Sequence, residues 1–491
     1  MVKNFKKRSL FYFLIFIISI NILFSGGWDI WVQTLTNLAV IFMAAVFFTG
    51  EIKINKFIFN IPFLLLFWGA ALSVKYSLMP VESSRIFYNI IAYIIIFVVV
   101  LTYFNTSTGR NLVLKLLKLS GVGAALLNVV LPYFFNRPIF PNPNMAAGFY
   151  LVIIPLFYKN LSAGIIKEYT ATQFFNVAVF LLLLYSLINT GSHIGMGIFG
   201  LSLGYYLIVN GKKKVFVTVF PVFLVGFYLI SVEIIGHPIK IQQRLSWLAA
   251  GVNMFKENFF TGTGPGVTSH ILPAFVEGQF FSVYLHSSLL KIAAEGGIIT
   301  FIGFLGAVYM LFKNLLKTGK FHKNPVFLSL SSILVFSLVE YPFSIPLITV
   351  TVIILSASFV KAEVITFSQK PAVMVKLVLI SGLIVSVLYV VEPYLAFREV
   401  TAGFYEVKSG GFSRARKRFS KVLDRHPDYR WAYLGKAFLH LNEKNSEAAH
   451  EYLNKSIPPI KKEYGYKLTE LDKGVKERLT QYGLDSRQFL Y

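Results

Sequence analysis

The chain has 491 residues, 55% hydrophobic and 14% charged, with a mean hydropathy of +0.64. A soluble domain carries about 25% charged residues to cover its surface. A soluble fold is therefore excluded and an all-α, polytopic helical membrane protein is indicated. The net charge of +24 would point to nucleic acid in a soluble protein. Here Lys and Arg gather in short loops between apolar runs, which is a topology signal. Cysteine is absent, so disulfides and thiolate metal sites are excluded.

In chain order, Met1 to Ser9 is basic and leads into an apolar run with no small-residue cleavage site, so an uncleaved first span is expected. About thirteen apolar runs approach the ~20 residues needed to cross as helices. They lie near 10–25, 29–49, 57–73, 85–104, 112–133, 145–158, 172–190, 193–210, 214–236, 286–312, 325–340, 343–360 and 373–391. The sixth is short, and Thr190 to His193 barely separates the seventh from the eighth. With Met1 placed inside, alternate loops carry Lys53 and Lys56, Arg110, Lys159 and Lys167, Lys212 to Lys214, Lys313 to Lys323, and Lys361 to Lys376. The other loops are poor in Lys and Arg, so the positive-inside bias holds along the chain. The N-terminus is expected in the cytoplasm and the loop at 237–285 outside.

That loop carries Arg244, Trp247, a helical stretch to Phe255 and Thr-Gly-Thr-Gly-Pro-Gly at 261–266. A long ordered loop is a functional candidate, and its apolar residues place it against the membrane surface. The last span ends near Glu392, dividing a membrane domain at 1–392 from an extracytoplasmic helical domain at 393–491. Gly403, Ala415, Phe419, Val422 and Pro427 have the spacing of a tetratricopeptide helix pair. Leu434, Gly435 and Phe438 open a second, continued by Ala448 and Ala449 and closed by Pro458 and Pro459. Two such repeats need capping by flanking helices or by the membrane domain, and they offer a surface for a protein partner.

Four outer positions hold candidate chemistry. Arg137, Asn142 and Asn144 sit in a proline-rich connector before the sixth span, where Asn144 is a candidate helix cap. Ser192 and His193 sit at a span boundary. Arg244 either contacts lipid headgroups or clamps a diphosphate through parallel donors. His286 opens the tenth span, and Glu295 lies two and a half turns further on the opposite face, where a carboxylate needs a partner. No zinc motif, Walker loop or dinucleotide fingerprint occurs, and the proline in 262–266 argues against a Rossmann loop. An outer-face enzyme lacks ATP, so an activated, lipid-linked sugar is the natural substrate.

In their order, Pro-Asn-Pro-Asn-Met-Ala-Ala at 141–147, Thr-Gly-Ser-His at 190–193, Arg244 with Trp247, Gly-Thr-Gly-Pro-Gly at 262–266, and His286 through Glu295-Gly296-Gly297 resemble the O-antigen ligase and polymerase superfamily. The resemblance covers roughly residues 60–360. It implies a metal-independent, inverting glycosyltransferase without cofactors in the bacterial inner membrane. Such an enzyme moves a glycan from undecaprenyl diphosphate to a glycan or lipid acceptor. It casts Arg244 as diphosphate binder and His286 as base, with His193 assisting. His193 stands where ligases carry an arginine, and Ser287 where they carry an asparagine. Arg244 and His286 are then expected to meet around a common outer cavity. The alternatives are a lipid-linked-oligosaccharide flippase or an inactive member acting as a scaffold.

Overall fold

The computed structural model describes residues 2–47, 53–135, 139–159, 171–212, 238–276, 284–317, 324–360, 363–366, 369–443 and 445–456, together with 221, 224 and 282. The expected span at 214–236, Arg137, and Pro458 and Pro459 lie outside this set. The protein is an all-α polytopic membrane protein. Its elements are α1 (Val2–Leu23), α2 (Ile30–Phe47), β1 (Lys53–Asn55), α3 (Ile61–Lys75), α4 (Pro80–Tyr103), α5 (Ser107–Phe135) and α6 (Pro143–Ile153). Next come α7 (Ala171–Asn189), α8 (His193–Val209), α9 (Pro238–Glu257), α10 (Thr268–Phe275), α11 (Ser288–Leu316), α12 (Pro325–Val339) and α13 (Pro346–Phe359). The chain ends with β2 (Val364–Thr366), α14 (Gln369–Lys408), α15 (Phe412–Arg425), α16 (Arg430–Asn442) and α17 (Ser446–Ser456).

Among the described residues four helices are long and apolar enough to cross a membrane, and six shorter apolar helices join them. Proline stands in the first turn of α3, α4, α6, α12 and α13. Its fixed φ suits that position and its missing N–H costs nothing there. Large apolar side chains such as Trp68, Phe174, Phe175, Leu201 and Tyr309 point outward, as lipid-facing surface requires. The expected short sixth span has a physical cause. Residues Met145 to Tyr158 are buried, and the helix tightens into a 3₁₀ turn at Ile154–Phe157, where Pro155 enters. α3 and α11 approach closely because Gly69, Gly303 and Gly306 meet Thr300, Leu66 and Pro62 without a Cβ between them.

Loops assigned to the same side by charge lie together. β1 pairs antiparallel with β2, and Lys56 bonds Glu363 at 2.6 Å. Asn105 donates to the Val360 carbonyl. At the opposite end, Gly26 packs against Phe140 and Ile345, and Gly264 against Ser77 and Ser83. The segment at 238–276 does more than rest on a surface. Ala250, Met254, Val267, Ile271, Leu272 and Phe275 form a buried cluster with Met79 and Leu285.

The division drawn at 392–393 falls inside α14, which runs unbroken through Pro393. Its last turns pack with α15, α16 and α17 around Phe419. A Cβ on Gly403 or Gly435 would come within 2.5 Å of that ring. Glu399 receives Arg418 at 2.7 Å and Lys421 at 3.0 Å, which ties α15 to α14.

Candidate active site

The loop between α12 and α13 carries a carboxylate that sequence reasoning passed over. Glu340 ends α12 in extended conformation, with Pro342 two residues on. Its side chain is fully buried. The Nη2 of Arg244 lies 3.0 Å from Oε1, and the Nδ1 of His286 lies 3.1 Å from Oε2. The Nδ2 of Asn144 donates to Oε1 at 2.8 Å. A buried carboxylate requires such partners, and charge-assisted bonds from both sides supply them. Glu340 was legible in principle, being the one charged residue between 325 and 360.

Each partner is fixed by its own element. On α9, Arg244 also donates from Nη1 to the Val339 carbonyl at 3.2 Å. Trp247, three residues on and so on the same face, stacks on His286 at 4.6 Å and 20°. His286 precedes α11, whose cap is Ser287, with Oγ accepting from Leu290. The Ser288 amide donates to the Glu340 carbonyl at 2.9 Å, joining this helix start to the α12–α13 turn. Because Glu340 accepts at Nδ1, the imidazole proton sits there and Nε2 is left as the basic nitrogen. Tyr341 meets His286 edge-on at 5.3 Å and stacks on Tyr284 at 4.8 Å. Burial pushes the Tyr341 phenol up, so it stays neutral, and Asn142 Nδ2 donates to it at 3.3 Å.

The proline-rich connector corrects one expectation. Asn142, not Asn144, caps α6, with its Oδ1 accepting from the Asn144 amide at 2.8 Å. Pro143 occupies the first helical position, which puts the cap at Asn142, two residues earlier than expected from Asn144, and leaves the Asn144 side chain for Glu340. Ser192 caps α8 through a bond from the Gly195 amide at 3.2 Å. His193 follows it, and its buried Nδ1 has no hydrogen-bond partner among the described residues. None of the contacts of these residues joins His193 to Arg244.

Glu295 is separate from His286, as its helical position requires. Its Oε1 accepts from the Thr268 amide at 3.2 Å and faces Lys291 Nζ at 3.8 Å. α11 is broken here, since Gly297 adopts φ 68°, ψ −177°. The carbonyls freed at Ala294 and Glu295 accept from the amides of Thr263 and Gly264, both at 3.0 Å, and Ile298 donates back to Phe259 at 2.8 Å. A broken helix at membrane depth needs such replacements. Gly262 and Gly264 have positive φ and press against Glu295 and Ser77, so a side chain at either would collide. The glycine-rich motif is thus a stitch across the helix break.

A cavity of about 600 Å³ lies beside this cluster. Arg244 and His286 do not line it; Tyr284, Ser288 and Tyr341 do. The expected shared cavity is not this one: the two residues meet on Glu340, where Trp247 and Tyr341 pack against His286 and Arg244 stays partly exposed. The charged groups facing the cavity are Glu82, Arg85, Lys291 and Glu295. Arg85 pairs with Glu82 at 3.1 Å and donates to Gln33 at 2.8 Å. Lys291 donates to Ser344 at 2.9 Å. The signal for Lys291 was its place four residues before Glu295, a Lys–Glu pair costly in an apolar helix unless it is used. Deeper, the lining turns apolar through Ile90, Phe97, Phe304, Leu311 and Phe312.

No curated protein and no solved structure matches the chain. The family model described as O-antigen ligase matches residues 178–305, a stretch that holds Arg244, His286, Lys291 and Glu295 and stops short of Glu340. That match supports a place in the O-antigen ligase superfamily and, with it, a membrane glycan-transferring function in surface polysaccharide assembly.

Proposed function

We propose that this protein transfers a glycan from undecaprenyl diphosphate to an acceptor hydroxyl at the outer face of the bacterial inner membrane. The observation that carries the reading is the seating of Arg244 and His286 on opposite oxygens of buried Glu340. Glu340 orients the ring, and His286 Nε2 takes the proton as the acceptor oxygen attacks the anomeric carbon. The bond from that carbon to the diphosphate oxygen breaks, and the diphosphate leaves with the electron pair. A single displacement of this kind inverts the anomeric centre and needs no cofactor or metal in the step. General-base catalysis contributes ~10²–10⁴-fold. Arg244 spends two of its N–H donors on Glu340 and Val339. The remaining three of the guanidinium's five are available to the departing charge.

The cavity suits the carrier. From Glu82 to Phe97 along α4 its lining extends about 22 Å at 1.5 Å per residue, most of a ~30 Å hydrocarbon layer. Arg85 and Lys291 stand at its charged end, where they would share the diphosphate with Arg244 of the neighbouring cluster, and the apolar end takes part of the polyprenyl chain. The lysine-bearing loops around β1 and β2 face the cytoplasm under the positive-inside rule. The catalytic cluster and the C-terminal unit, which we read as tetratricopeptide-like, then lie outside. A cavity of this length also suits a flippase, and assay in detergent, where no gradient exists, separates the two. The purified protein is expected to transfer lipid-linked glycan there, and transfer by His286→Ala or Arg244→Ala at near-normal turnover would remove that residue from the mechanism.

A further inference from the structure

We propose that the rim of the cavity is a saccharide subsite whose aromatic wall comes from the C-terminal helical unit. Tyr429 and Trp431, at the turn into α16, line the same cavity as Glu82, Arg85 and His270. The rings of His270 and Trp431 meet edge to face at 5.8 Å and 61°, joining α10 to α16 across the rim. Phe397, Val400 and Phe404 of α14 continue the wall.

The unit is fastened in this position. Val81, at the start of α4, packs against its core. His426, three residues before Tyr429, meets Glu392 at 3.2 Å, and the Tyr429 amide donates to the His426 carbonyl at 3.0 Å. The aromatic wall is therefore set against the membrane bundle by packing and by charge.

The rim has the chemistry of sugar recognition. A pyranose presents an apolar C–H face and an edge of hydroxyls. Trp431, only partly buried, matches the first, while Glu82, Arg85 and His270 match the second with both donors and acceptors. Along α4 the lining passes from Glu82 and Arg85 to Ile90 and Phe97. A ligand with its lipid end in the apolar part therefore places its polar end at the rim. The occupant assigned is the saccharide of the lipid-linked donor, which rests on the transfer reading above. The C-terminal unit thereby contributes to recognition of the glycan and acts as more than a tether for partners.

The test uses full-length protein in detergent with His286→Ala as the parent, so that nothing turns over. The probe is the set of short oligosaccharides released by mild acid from the host's own surface polysaccharide, with binding followed by calorimetry. The parent binds. Adding Trp431→Ala weakens binding about tenfold and Trp431→Phe by less than about threefold, the span expected for one aromatic contact. His270→Ala, on the opposite wall, weakens it by about threefold on the same scale. Failure of the parent to bind overturns the proposal. So does unchanged affinity in Trp431→Ala, or in His270→Ala if the tryptophan variant does not fold. Normal transfer by His286→Ala with intact oligosaccharide binding sinks the catalytic reading and leaves the subsite standing.

Discussion

The Glu340 cluster, which we propose to be catalytic, and the cavity beside it are built in opposite ways. The cluster is dense: three side chains converge on one fully buried carboxylate, and rings of Trp247 and Tyr341 pack against the histidine. The cavity is open along much of α4 and α11, and its charges pair within or between neighbouring turns. The difference separates two tasks. A proton-transfer group gains from being held in one geometry, whereas a long amphipathic ligand needs room and a graded lining. Residues of the cluster should therefore act on turnover, and residues of the cavity on binding.

The largest expected effect is His286→Ala, a fall in turnover of ~10²–10⁴-fold with little change in donor KM, read by transfer of radiolabelled lipid-linked glycan. Next comes the helix break. Gly297→Ala forces a side chain into a backbone conformation reserved for glycine and against the Phe260 carbonyl, at a cost of ~1–3 kcal/mol. A lowered unfolding temperature in detergent checks it. Arg85→Ala is expected to raise donor KM about tenfold, equivalent to ~1.4 kcal/mol of lost binding, with turnover nearly kept. An effect on turnover alone would erase the division between the two regions.

The smallest effect lies in the C-terminal unit. The hydrogen bond from Lys421, aided by Arg418, holds the Glu399 carboxyl below its usual range against the opposing pull of burial. A depressed carboxylate stabilises the fold above its unfolded value of ~4.3, and that contribution is lost as pH falls through the lower folded value. Hydrogen-exchange protection in α15, taken relative to the intrinsic rate at each pH, should therefore fall modestly below about pH 4 and stay flat above it. Glu399→Gln should flatten the profile.

Much of this architecture was readable in the sequence because bilayers impose strong rules. Apolar length located the helices, and Lys and Arg in alternate loops grouped Lys56 with Glu363 on one end and Gly264 with Ser77 on the other. Arg244 and Trp247 shared a helix face, so their joint action was also legible. The pairing with Glu340 was not, because residues 144, 244, 286 and 340 are brought together by packing alone. The cap on α6 was misplaced by two residues because Pro143 decides it. The glycines at 262–266 gave no sign of their partner, since the break at Gly297 that they stitch lies more than thirty residues away in a helix of regular hydrophobicity. The walls of the cavity come from segments as distant as Glu82 and Trp431, and no local pattern links them.

Glu340→Gln tests the central claim most directly, because it keeps the side chain's shape and removes the charge that both Arg244 and His286 address. In single-turnover transfer with purified, folded protein, the rate should fall at least a hundredfold while the donor still binds. A rate within threefold of the unaltered protein would show that this carboxylate does not organise the chemistry.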